Sequence, residues 1–206
     1  MTTANRRKPG IKLRLRKLSL LKPNILALDV ANSTGFCLGR VGTSEPLIGS
    51  INLCDVGTAR PRRLLYLAKA LASMFARYAI DQVYYEAPMA IAVAARVGAT
   101  EETMLLLRGA IGVVECEAAR AGIEDIDSFT VQEVRKHLLG AGRLPKGTGK
   151  KAVMDMVATL GYKVKDDNEA DAVAGWLYCS ALVDPRRAHL VTPLFAESIN
   201  DGSRGA

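Results

Sequence analysis

Three carboxylates stand in this sequence where an apolar run would ordinarily continue. Asp29 ends the run Ile25-Leu26-Ala27-Leu28. Glu86 ends Val83-Tyr84-Tyr85. Asp171 interrupts a segment of Ala, Val, Gly, Trp and Leu that continues to Leu177. An anion at the end of a buried segment is costly to desolvate unless it meets a partner or a cation. Singly, each has a plainer reading: a turn opener for Asp29, a surface charge for Glu86, a partner of the helix dipole for Asp171. Together they form an all-oxygen donor set suited to magnesium or manganese. Phosphodiester hydrolysis needs an activated water, in-line geometry and neutralised charge. Two metal ions roughly 3.5–4 Å apart supply all three.

A second cluster has the opposite sign. Between Glu133 and Asp155 there is no acidic residue, and the interval holds Arg135, Lys136, His137, Arg143, Lys146, Lys150 and Lys151. Gly140, Gly142, Gly147 and Gly149 are interspersed. Glycine lets backbone amides approach phosphate closely, and Lys and Arg neutralise it. The plainer reading is a solvated charged face. A nucleotide-binding P-loop is excluded, because the Gly, Lys and Thr residues fall in the wrong order and Lys151 is followed by Ala152. His137 reads as a surface histidine or a phosphate contact, and His189 has no expected role.

The elements that must position these groups follow from periodicity. Asn24–Val30 reads as a buried strand, Asn32–Gly35 as a turn, and Phe36–Val41 and Pro46–Leu53 as two further strands of a meander. Pro61 opens a helix carrying Leu64, Leu67, Leu71 and Phe75 at helical spacing. Gln82–Glu86 is the next strand. A long helix runs from its N-cap Thr100 to Ala121, and Ile123–Phe129 is a short strand. Thr130 and Glu133 form a capping box for a helix ending at Gly140. Lys150–Leu160 and Asn168–Leu182 are the last two helices, which places Asp171 in the first turn of the latter. The expected architecture is α/β: a mixed five-stranded sheet with helices on both faces. Parallel strands would bring Asp29 and Glu86 to one sheet edge, where ligands of open α/β sheets bind.

Composition bounds the rest. The chain has 206 residues, 49% hydrophobic and 24% charged, which suits one packed domain with or without tails. No apolar run approaches the roughly 18 residues of a membrane span, so no membrane partner is expected. Cys37, Cys54, Cys116 and Cys179 lack C-x-x-C spacing, which argues against a zinc ribbon or disulfide scaffold and for a reducing compartment. The net charge of +7 is local: residues 1–22 hold eight basic residues and no acid, leaving 20 basic and 21 acidic residues elsewhere. A basic arm on a near-neutral body suits a polyanion; a solvated tail or an Arg-rich transit peptide is the alternative.

Five segments together resemble a known family. They are Asp29 with Thr34-Gly35-Phe36; Tyr85-Glu86-Ala87-Pro88; Val134-Arg135-Lys136; Gly140-x-Gly142 with Lys146; and Asp167-Asn168-Glu169-Ala170-Asp171-Ala172. Over residues 24–183 they look like the RuvC-type Holliday-junction resolvases, most of all the versions in phage-like genomes. The resemblance implies a ribonuclease H-like fold over residues 23–185, between a basic arm (1–22) and a C-terminal tail (186–206). It also implies a homodimer, with the 100–121 helix as the expected interface, and metal-dependent paired nicking of branched DNA. On it, Asp29, Glu86 and Asp171 are the catalytic metal ligands for Mg2+ or Mn2+, two ions per site. The family's fourth acid falls on Asn168, which can offer a carbonyl oxygen but no charge; Asp167 stands beside it. Arg135, Lys136, Arg143, Lys146, Lys150 and Lys151 become the DNA-binding set, with Arg135 and Lys146 matching basic positions near the family's active site. Met89 or Ile91 takes the place of the side chain that probes opened base pairs. The implied location is the cytoplasm of a bacterial or phage-infected cell, or the mitochondrion of a eukaryote. Two rivals differ in class: a non-cleaving branched-DNA-binding protein, favoured by Asn168, and an actin-like phosphotransferase, for which 206 residues leave little room.

Overall fold

The computed structural model describes residues 22–53, 59–90, 96 and 98–186. The strands are β1 (Asn24–Asp29), β2 (Ser33–Arg40), β3 (Leu47–Asn52), β4 (Gln82–Glu86) and β5 (Asp125–Phe129). The helices are α1 (Arg60–Arg77), α2 (Glu101–Arg120), α3 (Val131–Leu139), α4 (Gly149–Thr159) and α5 (Asp167–Val183). The five strands form one sheet in the order β3-β2-β1-β4-β5. β1, β2 and β3 are antiparallel neighbours, and β4 runs parallel to both β1 and β5. This is the mixed sheet expected from the sequence.

The pleat of β1 explains why its apolar run does not alternate. Successive side chains point to opposite faces, and here both faces are covered. Ile25 and Ala27 join a core with Val134, Leu138, Val153, Val157 and the α5 residues Val173 and Trp176. Leu26 and Leu28 join another with Leu67 and Leu71 of α1 and Ala110 and Val114 of α2. Helix α5 is buried along most of its length, as its apolar sequence requires. Its Trp176 indole Nε1 donates to the Gly39 carbonyl at 3.1 Å. No helix among the described residues is long and apolar enough to cross a membrane.

Three boundaries differ from the sequence expectation, each for a local reason. Ser33–Gly35 belongs to β2 rather than to a turn, because the buried Thr34 hydroxyl donates to the Ala31 carbonyl at 2.9 Å and the bend closes earlier. β5 starts at Asp125, not Ile123: Gly122, at φ +79°, turns the chain, and the Ile123 N–H still bonds the Ala118 carbonyl of α2. Helix α5 starts at Asp167, because the Asp166 carboxylate accepts from the Glu169 N–H at 2.9 Å as its N-cap. Asp171 therefore lies in the second turn of α5, not the first.

Candidate active site

The register sets the first half of the site. β1 and β4 are parallel with Leu28 beside Tyr85, so Asp29 and Glu86 end adjacent strands at the same sheet edge. The second half comes from α5, which crosses β1 and β2 at that edge. Gly35 is the residue opposite Asp29 in the β1–β2 ladder. A Cβ there would lie 2.0 Å from the Asn168 backbone oxygen. Only a glycine lets the first turn of α5 come this close to the strand. That approach brings Asp171 within electrostatic range of Asp29 and Glu86.

The electrostatics follow. Burial, and then the charge of Asp171, pushes Asp29 up to about 7; Asp167 and Asp166 add to the rise and Lys150 opposes it. Burial, then Asp29 and Asp171, pushes Glu86 up to about 8, against Arg135 and Lys150. Asp171 is raised by burial, with Arg135 and Lys150 pulling it down. A set of desolvated, mutually repelling carboxylates is the donor chemistry that a divalent cation relieves. The residues fit such an ion in donor type and in charge. Among the described residues, however, no three His, Cys, Asp or Glu side chains are already arranged to hold one.

The basic residues divide into two groups. Arg135 and Lys150 reach the carboxylates. The Arg135 guanidinium lies over buried Gly149, where an added Cβ would come within 2.8 Å of its Cζ. Lys150 makes an ion pair with Asp167. Lys136, Arg143 and Lys146 are exposed on α3 and in the loop before α4. Lys151 turns to Asp155 on its own helix at 2.6 Å. Met89, 55% exposed, follows β4 by three residues. Ile91, His189, Cys54 and residues 1–21 of the basic arm lie outside the described residues.

His137 is half-buried rather than a surface histidine. Its ring packs edge-on against Tyr178 of α5 at 5.7 Å, its Nε2 is buried without a hydrogen-bond partner, and burial lowers its pKa. Sequence reasoning also missed how closely Lys150 is tied to the acids, and the roles of Gly35 and Gly149. The glycines were visible as letters, but what presses on them is set by helices far along the chain.

Thermus thermophilus RuvC in complex with Holliday junction substrate aligns with TM-score 0.59 and 18% identity, over 80% of this chain and 95% of that one. The chain has the RuvC fold. A second Thermus thermophilus RuvC structure gives TM-score 0.56 and 18% identity over 81% of this chain and 96% of that one. The yeast mitochondrial Holliday junction resolvase Ydc2 gives 0.51 and 13% identity over 88% and 87%. No protein-family model and no curated protein matches the sequence. The RuvC fold accounts for the sheet order and for the helices on both faces.

Proposed function

We propose that this protein is a divalent-metal-dependent endonuclease that resolves four-way or otherwise branched DNA by paired nicks. The observation that carries the reading is the meeting of Asp29, Glu86 and Asp171 at one sheet edge, with Arg135 and Lys150 beside them. Two of the fold neighbours support the substrate class, one being bound to a Holliday junction and another being a junction resolvase.

In this reading Asp29, Glu86 and Asp171 hold Mg2+ or Mn2+, two ions per site, with Asp167 or the Asn168 side-chain oxygen as a further donor. The bound ions supply an activated water and neutralise the phosphate. Without them Glu86, at about 8, keeps its proton through neutral pH and relieves the repulsion within the cluster. Arg135 and Lys150 offer positive charge to the scissile phosphate. Lys136, Arg143, Lys146 and Lys151 position the flanking backbone, which sets register rather than sequence. Met89, exposed after β4, presses on opened bases in this reading, at a cost a preopened junction reduces. A dimer through α2 supplies the second active site; its exposed face carries Leu105 and Cys116, and the space around Gly112 is open.

A non-cleaving junction binder is the second reading, favoured by Asn168, which brings no charge to the site. Cleavage of junction, fork and linear duplex, side by side with and without Mg2+, separates the two. The nuclease reading expects Mg2+-dependent nicks in the branched substrates and little in the duplex. Binding without nicks under every divalent ion would establish the second reading.

A further inference from the structure

We propose that Lys150 is the resting counter-ion of the carboxylate site and that it competes with the divalent cation for it. The inference rests on the nuclease reading above and concerns what sets the metal affinity of that site. Lys150 occupies the first turn of α4, a turn with no acidic residue, and its ammonium is paired with Asp167 on α5. The same charge acts on Asp29, Glu86 and Asp171. One cation from α4 thus serves four carboxylates contributed by β1, β4 and α5. A divalent ion among those oxygens would meet a like charge at Lys150, and the two cations exclude one another.

The side chain suits a displaceable role. Lysine is a compact charge on a flexible stem, unlike the planar fork of arginine. Lys150 is 65% exposed, so it can swing into solvent without opening the core. Arg135 differs: it is seated over Gly149, and its Nε is buried. It remains with the acids when Lys150 leaves. Lys150 therefore acts as a positioning residue that tunes cation binding, in addition to any contact with phosphate.

Mn2+ binding to the full-length, DNA-free protein, followed by the electron paramagnetic resonance of free Mn2+, tests this without cleavage. Lys150→Met is expected to bind Mn2+ roughly tenfold more tightly than the unaltered protein, since one nearby positive charge is gone. Lys150→Gln should behave likewise, and Lys150→Arg should stay close to the unaltered protein. The Mn2+-induced rise in melting temperature should be larger in Lys150→Met. Equal or weaker Mn2+ binding by Lys150→Met and Lys150→Gln, both folded by circular dichroism, would overturn the inference and leave the nuclease reading standing. Absence of Mn2+ binding in every variant and in the unaltered protein would overturn both.

Discussion

Asp29 and Glu86 are ionised with difficulty, and that has a consequence for stability that needs no DNA to observe. Their folded pKa values, about 7 and about 8, lie above the ordinary carboxylate range. Between that range and the folded values, the folded state holds protons that the unfolded state has released. The contribution of these two groups to stability is therefore complete at low pH and falls as pH rises through about 4 to 8. Asp29→Asn should raise the melting temperature of the metal-free protein at pH 8 and change it little near pH 4. A melting temperature lowered equally at both pH values would show instead that Asp29 is held by structural bonds. At the next position of interest, Asn168→Asp should support cleavage at least as well as the unaltered protein if residue 168 is a metal donor. A loss of activity in a folded Asn168→Asp variant would point to Asp167. At this scale the three acids were legible because each interrupts an apolar run. The pairing of Lys150 with Asp167 was not, since it depends on how α4 and α5 pack, and nothing local marks it.

The elements hold these residues through close approaches more than through bonds. Helix α5 reaches the Asp29 edge because Gly35 has no side chain, and it packs against the Phe129 ring at the end of β5 because Gly175 admits that ring, whose Cζ would be 2.5 Å from a Cβ. Gly35→Ala must push backbone against backbone. It should destabilise the protein by about 1–3 kcal/mol in denaturant unfolding and reduce cleavage at saturating DNA even where the fold persists. Unchanged stability and rate would mean that α5 has slack at its first turn. The succession of strands and helices among the described residues was legible from the runs, caps and turn residues: Thr100, the Thr130–Glu133 capping box and Gly140 all lie where the sequence put them. The start of β2 was not, because Asn-Ser-Thr-Gly reads as a turn until Thr34 is seen to bury itself. His137 was misread for a similar reason: a basic neighbourhood in sequence hid its packing against Tyr178.

At the scale of the whole molecule, the proposed function adds a second copy and a basic arm to the account. If α2 is the dimer interface, Leu105→Arg, at a side chain 45% exposed, should shift the sedimenting species from twice the 22.1 kDa chain mass to one chain. It should also replace paired nicks by single ones. A monomeric unaltered protein that still makes paired nicks would remove the dimer from the account. Residues 1–22 carry eight positive charges against a net −1 for the rest, from 20 basic and 21 acidic residues. Each neutralised phosphate contributes roughly −0.9 to the slope of log affinity against log salt. Deleting residues 1–22 should flatten that slope for junction and duplex alike and leave the cleavage rate at saturating DNA unchanged. An unaltered slope would make the arm a passenger, and a loss confined to junctions would make it a reader of the crossover.

On the proposed function, Asp29, Glu86 and Asp171 form a metal-dependent cutting site, while the affinity for DNA comes from the basic residues beside and around it. The most direct measurement is Mg2+-dependent cleavage of a labelled four-way junction by Asp29→Asn, Glu86→Gln and Asp171→Asn, with junction affinity measured on the same preparations. The account predicts that each variant loses cleavage by roughly 10²–10³-fold or more and binds the junction about as tightly as the unaltered protein. Full cleavage by any one variant, or parallel loss of binding and cleavage in all three, would contradict it.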